Sequence, residues 1–270
     1  MKIAILTPCR SMHPGYALAL ADSFRRSNLG EFERRGVVEK LELEWPPLTL
    51  NNFADVSLAR NTLLAMFRAQ SKADVAMWID SDIFWEPGDL ICVLHPITLG
   101  AHVVAGLYPR KDLHQTNFTC EFRPEDIDPL RGYIGPTTIN GGGGLHYGRL
   151  QRAGGGFLAM TRKAIDDVAS DRRICDLYKP WETSRLTDQD DERHVWMFGS
   201  RVRPMGDVYR YEPEDYAGCD ALLQAGHTIH FSFDAWPAHL EGPFTFQAVG
   251  RSDITDFAKR QAQRAISDVD

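Results

Sequence analysis

Apolar positions along the chain fall into short continuous runs that alternate with longer amphipathic stretches. Residues 2–8 contain Ile3-Ala4-Ile5-Leu6, a buried-strand run closed by Thr7-Pro8-Cys9-Arg10, and residues 16–26 follow with helical periodicity. Residues 37–45 alternate as a second strand. Residues 57–69 place Leu58, Leu63, Leu64 and Phe67 on one helical face, with Ser57 in the N-cap position. The run Val75, Met77, Trp78, Ile79 within 74–79 stops abruptly at Asp80-Ser81-Asp82, and Pro87 opens the next helix. Residues 102–107 form another strand, after which the chain turns glycine-rich at 140–144 and 154–156. Further on the pattern predicts strands at 118–122 and 157–160, a helix at 162–169 and a polar loop at 179–193. A helix at 214–225 stopped by Gly226, a strand at 227–233 and a helix at 253–267 complete it.

Strands alternating with helices predict an α/β fold, a single Rossmann-like domain with a mostly parallel sheet flanked by helices. Tyr108 marks a change of character, so the chain divides into halves at 1–108 and 109–252 with a C-terminal helix at 253–270. No internal repeat is present.

Composition narrows the class. With 270 residues, 43% hydrophobic and 25% charged, the chain has enough apolar material for a sizeable core. A net charge of −7 argues against a surface built throughout for phosphate backbones. Cys9, Cys92, Cys120, Cys175 and Cys219 are odd in number and lack CxxC spacing, which fits a reducing cytoplasm rather than a disulfide framework or zinc knuckle. The opening MKIAILTPCR is too quickly polar for a signal peptide. No apolar run approaches the roughly 20 residues that span a bilayer, so no membrane span is expected.

Ligands of such sheets bind beyond the carboxyl ends of the strands, where Asp80 and Asp82 stand. Two carboxylates separated by a small Ser can aim at one hard cation, which in turn bridges diphosphate oxygens. The competing reading is a solvated acidic turn. Glu214 and Asp215 open a helix, where acids also serve simply to offset the macrodipole. Arg60 and Asn61 suit a donor contact or an exposed helix face. Gly155 and Gly156 permit close approach of a ligand to the backbone, or a plain turn.

Context adds a resemblance. LARNTLLAMFRAQSKADVAMWIDSDIFWEPGDL, residues 58–90, resembles the donor-site block of GT-A-fold glycosyltransferases, with a helix, a hydrophobic strand, DxD and a Pro-opened helix. VVAGLYPRK at 103–111, AGGGFLAMTRKAID at 153–166, YEPEDYAGCDALLQAGHTIHF at 211–231 and DAWPAHLEG at 234–242 agree with that family in order. The likeness spans residues 2–242. It implies a metal set of Asp80, Asp82 and His239 holding Mn2+ or Mg2+, with Asp82 in direct contact and Asp80 on the ribose or a metal-bound water. Ser81 keeps the turn compact. Thr7, Pro8 and Arg10 are implied at the nucleotide, Arg60 and Asn61 as a second donor-contacting pair, and Gly155 and Gly156 in the acceptor loop. Apart from the resemblance, Trp181, Trp196 and Trp236 suit stacking on a sugar ring or a place in the core, and of these Trp236 lies beside a proposed ligand, His239.

Inverting members use the Asp of their xED motif as general base, here Asp215, with Glu214 orienting it or acting in its place. The implied function is transfer from a nucleotide-sugar, UDP favoured over GDP, to a hydroxyl on a glycan, lipid, protein or modified DNA base. The implied source is bacterial or phage.

Two other classes compete. Haloacid-dehalogenase-type phosphotransferases also carry DxD after an apolar strand, but place it on their opening strand and want Thr or Val where this chain has Phe84. A non-catalytic carbohydrate- or nucleotide-binding module would have no need for DxD, an acidic helix start and a late His together. A Rossmann oxidoreductase is disfavoured because GxGxxG does not follow the first strand.

Overall fold

Strands that are apolar on both faces need cover on both sides, and this requirement builds the architecture. In a computed structural model, residues 1–9, 11–30, 32–51, 55–112, 117–133, 135, 145–177, 194–205, 208–241, 244–247 and 251–267 are described.

In chain order the first part comprises β1 (Lys2–Cys9), α1 (Pro14–Leu29), β2 (Phe32–Arg34), β3 (Val37–Glu39), β4 (Glu42–Leu43), β5 (Leu48–Asn51) and α2 (Val56–Gln70). Next come β6 (Val75–Ile79), β7 (Ile83–Phe84), α3 (Pro87–Thr98), β8 (Val103–Gly106), β9 (Cys120–Phe122), β10 (Ile127–Asp128) and β11 (Gly132–Tyr133). The remainder comprises β12 (Tyr147–Ala153), β13 (Phe157–Thr161), α4 (Arg162–Ser170), β14 (Asp176–Leu177), β15 (Val195–Trp196), β16 (Arg201–Met205) and β17 (Val208–Glu212). It ends with α5 (Glu214–Gln224), β18 (Ile229–Ser232), β19 (Ala238–Glu241), β20 (Phe244–Phe246) and α6 (Arg251–Ser267).

The result is a mixed α/β fold with one central sheet of nine strands, ordered β4-β1-β6-β13-β8-β18-β12-β9, with β5 also pairing β1. Strand β1 runs parallel to β4, β5 and β6, and β8 runs parallel to β18. Side-chain alternation divides the core into two layers. Ala76 and Trp78 of β6 enter one cluster with Leu63 and Phe67 of α2, Ile165 of α4 and Leu222 of α5. Val75, Met77 and Ile79 enter the other with Tyr16 of α1 and Leu90 and Val93 of α3.

One strand sets up the site. β13 lies antiparallel between β6 and β8, so its first residue, Phe157, pairs with the last residue of β6, Ile79. The glycine loop before β13 is thereby delivered to the carboxyl end of the parallel strands. Strands from both sides of Tyr108 interleave within the one sheet.

Local signals agree with the ends of most helices. Pro14 and Pro87 occupy first turns, and Gly30 closes α1 in the left-handed region at φ 71°. Glu86 and Asp89 form a reciprocal capping box at α3. The cap of α2 is Asp55 rather than the expected Ser57, its side chain accepting from Leu58 N at 3.1 Å. The first strand continues through Cys9, because β5 extends its pairing past Leu6. The expected strand over 37–45 is interrupted: residues 37–39 turn back on β2, and residues 42–43 join β1.

Candidate active site

The Asp80-Ser81-Asp82 turn follows β6 and is pinned from three directions. Ile83 N donates to Asp80 O at 3.0 Å, His13 N to Ser81 O at 3.0 Å and Leu240 N to Asp82 O at 2.8 Å. The last of these belongs to a small sheet in which β19 pairs antiparallel with β7, opposing His239 to Ile83. That pairing brings the imidazole to the acidic turn. His239 Nε2 lies 3.3 Å from Asp82 Oδ2, and Lys111 Nζ lies 2.8 Å from the same oxygen.

Burial alone would raise the Asp82 carboxyl, but hydrogen bonding to His239 and Lys111 and their charge hold it down at about 2. His239 Nδ1 is 3.2 Å from the carbonyl of Pro109. A carbonyl can only accept, so Nδ1 carries a proton and Nε2 is the nitrogen that meets the carboxylate.

Arg60 organises the other half of the site. It projects from α2 and is 2% exposed. Its Nη2 contacts Asp80 Oδ1 at 2.9 Å and Oδ2 at 3.1 Å, its Nε donates to Glu214 Oε1 at 3.2 Å, and its Nη1 donates to Gly155 O at 3.2 Å. Trp78 lies under the guanidinium, 5.7 Å from ring centroid to Cζ. Burial disfavours the positive charge, yet the carboxylates of Asp80 and Glu214 outweigh it and raise the Arg60 pKa. Asp80 is pushed upward by burial despite the opposing pull of Arg60.

Asp215 stands in the first turn of α5. Its Oδ2 accepts from Gly155 N at 3.2 Å and its Oδ1 from Tyr216 N at 2.8 Å. Burial first, and the neighbouring Glu214 charge second, raise its pKa to about 6. A carboxylate tuned to that value is a stronger base than an ordinary Asp while still largely ionised at neutral pH. Asp215 and His239 both line a cleft of 760 Å3, together with Arg110, Lys111, Arg210 and Arg264.

Several residues singled out from the sequence occupy other roles. Thr7 is fully buried with its hydroxyl bonded to Tyr16, and Pro8 is buried within β1, so neither side chain is presented to a ligand. Asn61 is also fully buried: its amide donates to Ser57 O and Phe198 O and accepts from Met197 N and Phe198 N, which uses its capacity on the protein itself.

The glycines of the loop before β13 are small because protein fills the space. A Cβ on Gly155 would meet Arg60 Cζ at 2.8 Å, and one on Gly156 would meet Tyr108 Oη at 2.6 Å and Asp80 Oδ2 at 2.8 Å. Asp80, expected in the metal set, has both oxygens engaged by Arg60. Trp236 packs partly buried against the core, its backbone N–H donating to Asp89 Oδ1 at 3.0 Å, and does not line the cleft that Asp215 and His239 share. Ser81 is held through its backbone, in keeping with a compact turn. Arg10 and Trp181 lie outside the described residues.

Sequence reasoning missed Tyr108 and the cationic lining. Tyr108 is buried, its oxygen accepts from Gly156 N at 2.8 Å, and its ring meets His239 edge-on at 5.5 Å. The available signal was the Tyr108-Pro109-Arg110-Lys111 run directly after β8. Among the described residues no three His, Cys, Asp or Glu side chains gather to hold a cation by themselves. Asp82 and His239 nevertheless fit two places on one ion. Adjacent ligands at about 2.1 Å from a metal lie roughly 3.0–3.4 Å apart, and this pair is separated by 3.3 Å.

The chain matches no protein-family profile and no curated protein. Solved structures similar to it include A197 from STIV, at 14% identity and TM-score 0.49, covering 90% of this chain and 87% of that one. The inositol-1-phosphate CTP transferase from T. maritima is similar at 10% identity and TM-score 0.32, covering 98% and 96%. Among the described residues no helix is long and apolar enough to cross a membrane.

Proposed function

We propose that this chain is a metal-dependent glycosyltransferase that moves a sugar from a nucleoside-diphosphate sugar, with UDP as the favoured nucleotide, to an acceptor hydroxyl. The observation that carries the reading is the convergence of His239 and Asp82, held 3.3 Å apart by the β7–β19 pairing, in contact with the cleft that Asp215 lines. An acidic turn serving only as a surface loop has no use for an imidazole from a distant strand.

Asp82 and His239 would hold Mn2+ or Mg2+, and the remaining positions would fall to diphosphate oxygens and water. Such an ion supplies charge compensation to the diphosphate as it leaves. Lys111, already 2.8 Å from Asp82, adds a second positive charge beside the same oxygen. Asp80 takes the part of holding Arg60, which in turn fixes Glu214 and the Gly155 carbonyl.

Asp215 acts as general base. The acceptor oxygen bonds to the anomeric carbon as the bond from that carbon to the diphosphate breaks, the leaving group keeps the electron pair, and the acceptor proton passes to the Asp215 carboxylate. Gly155 N and Tyr216 N orient that carboxylate by holding one oxygen each. The experiment is release of UDP from UDP-sugars by the full chain, with manganese and with EDTA. Metal-dependent release that Asp82→Ala removes supports the reading. A wild-type chain that binds the nucleotide equally well in EDTA and in manganese refutes it.

A further inference from the structure

We propose that the acceptor is a glycan of several sugar units, whose end enters the Asp215 cleft while the units behind it stack on Tyr211 and Tyr209; this rests on the transferase reading above and names its acceptor class. The hairpin of β16 and β17 points to it. Its register pairs Arg201 with Glu212, Val202 with Tyr211 and Pro204 with Tyr209. Paired residues share a face and successive residues alternate. Val202, Pro204, Tyr209 and Tyr211 therefore stand together on one side of the hairpin, and Arg201, Arg210 and Glu212 on the other.

The polar side is the one turned to the domain. Glu212 is buried with its Oε1 3.2 Å from Arg152 Nη2 of β12, Arg201 pairs with Asp220 of α5, and Arg210 Nη2 lies 2.6 Å from Glu121 Oε1 of β9. The apolar side is left to solvent: Val202, Tyr211 and Tyr209 are 61%, 64% and 77% exposed, and Pro204 is exposed beside them. A hairpin held in place by its own apolar side chains would sit the other way round.

Tyr211 joins this outer face to the candidate active site, because it lines the same cleft as Asp215. Its hydroxyl donates to Ser200 Oγ at 3.0 Å, and Ser200 Oγ lies 3.2 Å from Ser57 Oγ of α2, so the exposed ring is held before a ligand arrives. Tyr209 stands two residues nearer the turn of the hairpin, about 7 Å further along the same face.

The occupant follows from size and charge. A cleft of 760 Å3 suits a piece of small-molecule size, so a polymeric acceptor enters by its end and lays the rest along the hairpin. The outer face carries no charge on a chain of net charge −7, the wrong surface for the phosphates of a nucleic acid strand. Four side chains are too few for a folded protein, whose interface takes about 20–30 residues a side. A sugar ring fits: its C–H face packs on an aromatic ring while its hydroxyls reach water or the phenol oxygen at the rim.

The test is calorimetric titration of the full chain in EDTA with hexasaccharides of glucose, galactose, mannose and N-acetylglucosamine, their monosaccharides and a 12-nucleotide single strand. EDTA silences metal-dependent donor binding. At least one hexasaccharide is expected to bind saturably and at least about tenfold more tightly than its monosaccharide. Tyr209→Ala and Tyr211→Ala are each expected to lose on the order of tenfold in that affinity, while Tyr209→Phe, which keeps the ring, stays within about twofold of wild type. Tyr209 is exposed, so an unchanged melting temperature is the folding control for its variants. Absence of saturable hexasaccharide binding, equal binding by wild type and both Ala variants, or tighter binding of the oligonucleotide overturns the proposal. So does a dimer in sedimentation that the Ala variants lose, which would give the face to a second copy of the chain. UDP binding with manganese, read separately in the same variants, reports the transferase reading; either can fail while the other stands.

Discussion

Nη2 of Arg60 lies 2.9 Å from Oδ1 and 3.1 Å from Oδ2 of Asp80, so a cation from the middle of α2 neutralises the first carboxylate of the acidic turn. The same guanidinium reaches Glu214 and the Gly155 carbonyl, and three separate segments thus share one buried charge. Removing one side of such a network leaves the others desolvated and uncompensated. Arg60→Ala is expected to lower unfolding stability by about 3–5 kcal/mol, measured by urea denaturation at pH 7. Arg60→Lys keeps the charge but not the fork and is expected to fall between. A loss below about 1 kcal/mol for Arg60→Ala would mean the network is solvated.

Asp215 links function to stability in opposite directions. Its folded pKa, about 6, lies above the ordinary carboxyl range. The folded state therefore holds this proton more tightly than the unfolded chain, and the group's contribution is lost as pH rises from about 4 to about 6. Asp215→Asn is expected to stabilise the protein at pH 7 by on the order of 1–2 kcal/mol, allowing for partial exposure, and to give no gain at pH 4. The same variant is expected to lose transfer by at least about 100-fold, with nucleotide binding retained. Wild-type transfer is expected to fall as pH drops below about 6. Melting curves at the two pH values and a pH–rate profile check these outcomes; unimpaired transfer by Asp215→Asn would remove it from the base role.

Gly156 is fixed by its neighbours rather than by a ligand. A methyl there meets Tyr108 Oη at 2.6 Å and Asp80 Oδ2 at 2.8 Å. Gly156→Ala is expected to cost about 1–3 kcal/mol, measured by chemical denaturation. The cost is expected to shrink in a Tyr108→Phe background, where the hydroxyl oxygen is gone. An equal cost in both backgrounds would place the strain at Asp80 Oδ2 and the Tyr108 ring, whose Cζ lies 2.9 Å from the added carbon, rather than at the hydroxyl.

Asn61 is expected to matter for folding and not for nucleotide binding. Truncation to Ala leaves Met197 N, Phe198 N and Phe198 O without their partner in a buried place. Asn61→Ala is expected to destabilise by about 2–4 kcal/mol while UDP affinity, measured on the folded protein, stays within about twofold of wild type. A large affinity loss at unchanged stability would restore it to the donor site.

What could be read from the sequence divides along physical lines. The acidic turn was legible because the apolar run of β6 ends sharply at Asp80, and Pro87 and the 214–224 helix carried their own end signals. The two-sided burial of β1, β6 and β8 was equally legible, since their residues are apolar without alternation. Burial of Asn61 was not, because an amide on a helix looks the same whether it meets solvent or the 197–198 backbone. The glycine loop misled for a related reason: a missing Cβ is visible in the sequence, but what fills the space is not, and here it is Arg60 and Tyr108. The short pairing β7–β19 carries too few residues for a periodic signal. His239 was picked out by the order of motifs, and its partner strand emerged only in three dimensions.

The most direct measurement is the thermal shift produced by UDP in the presence of manganese, compared among wild type, Asp82→Ala and His239→Ala. Ligands that bind the native state raise its melting temperature by mass action. The account predicts a manganese-dependent rise in the wild type that both substitutions abolish. A full manganese-dependent rise in Asp82→Ala, or a wild-type rise that is the same in EDTA, would contradict it.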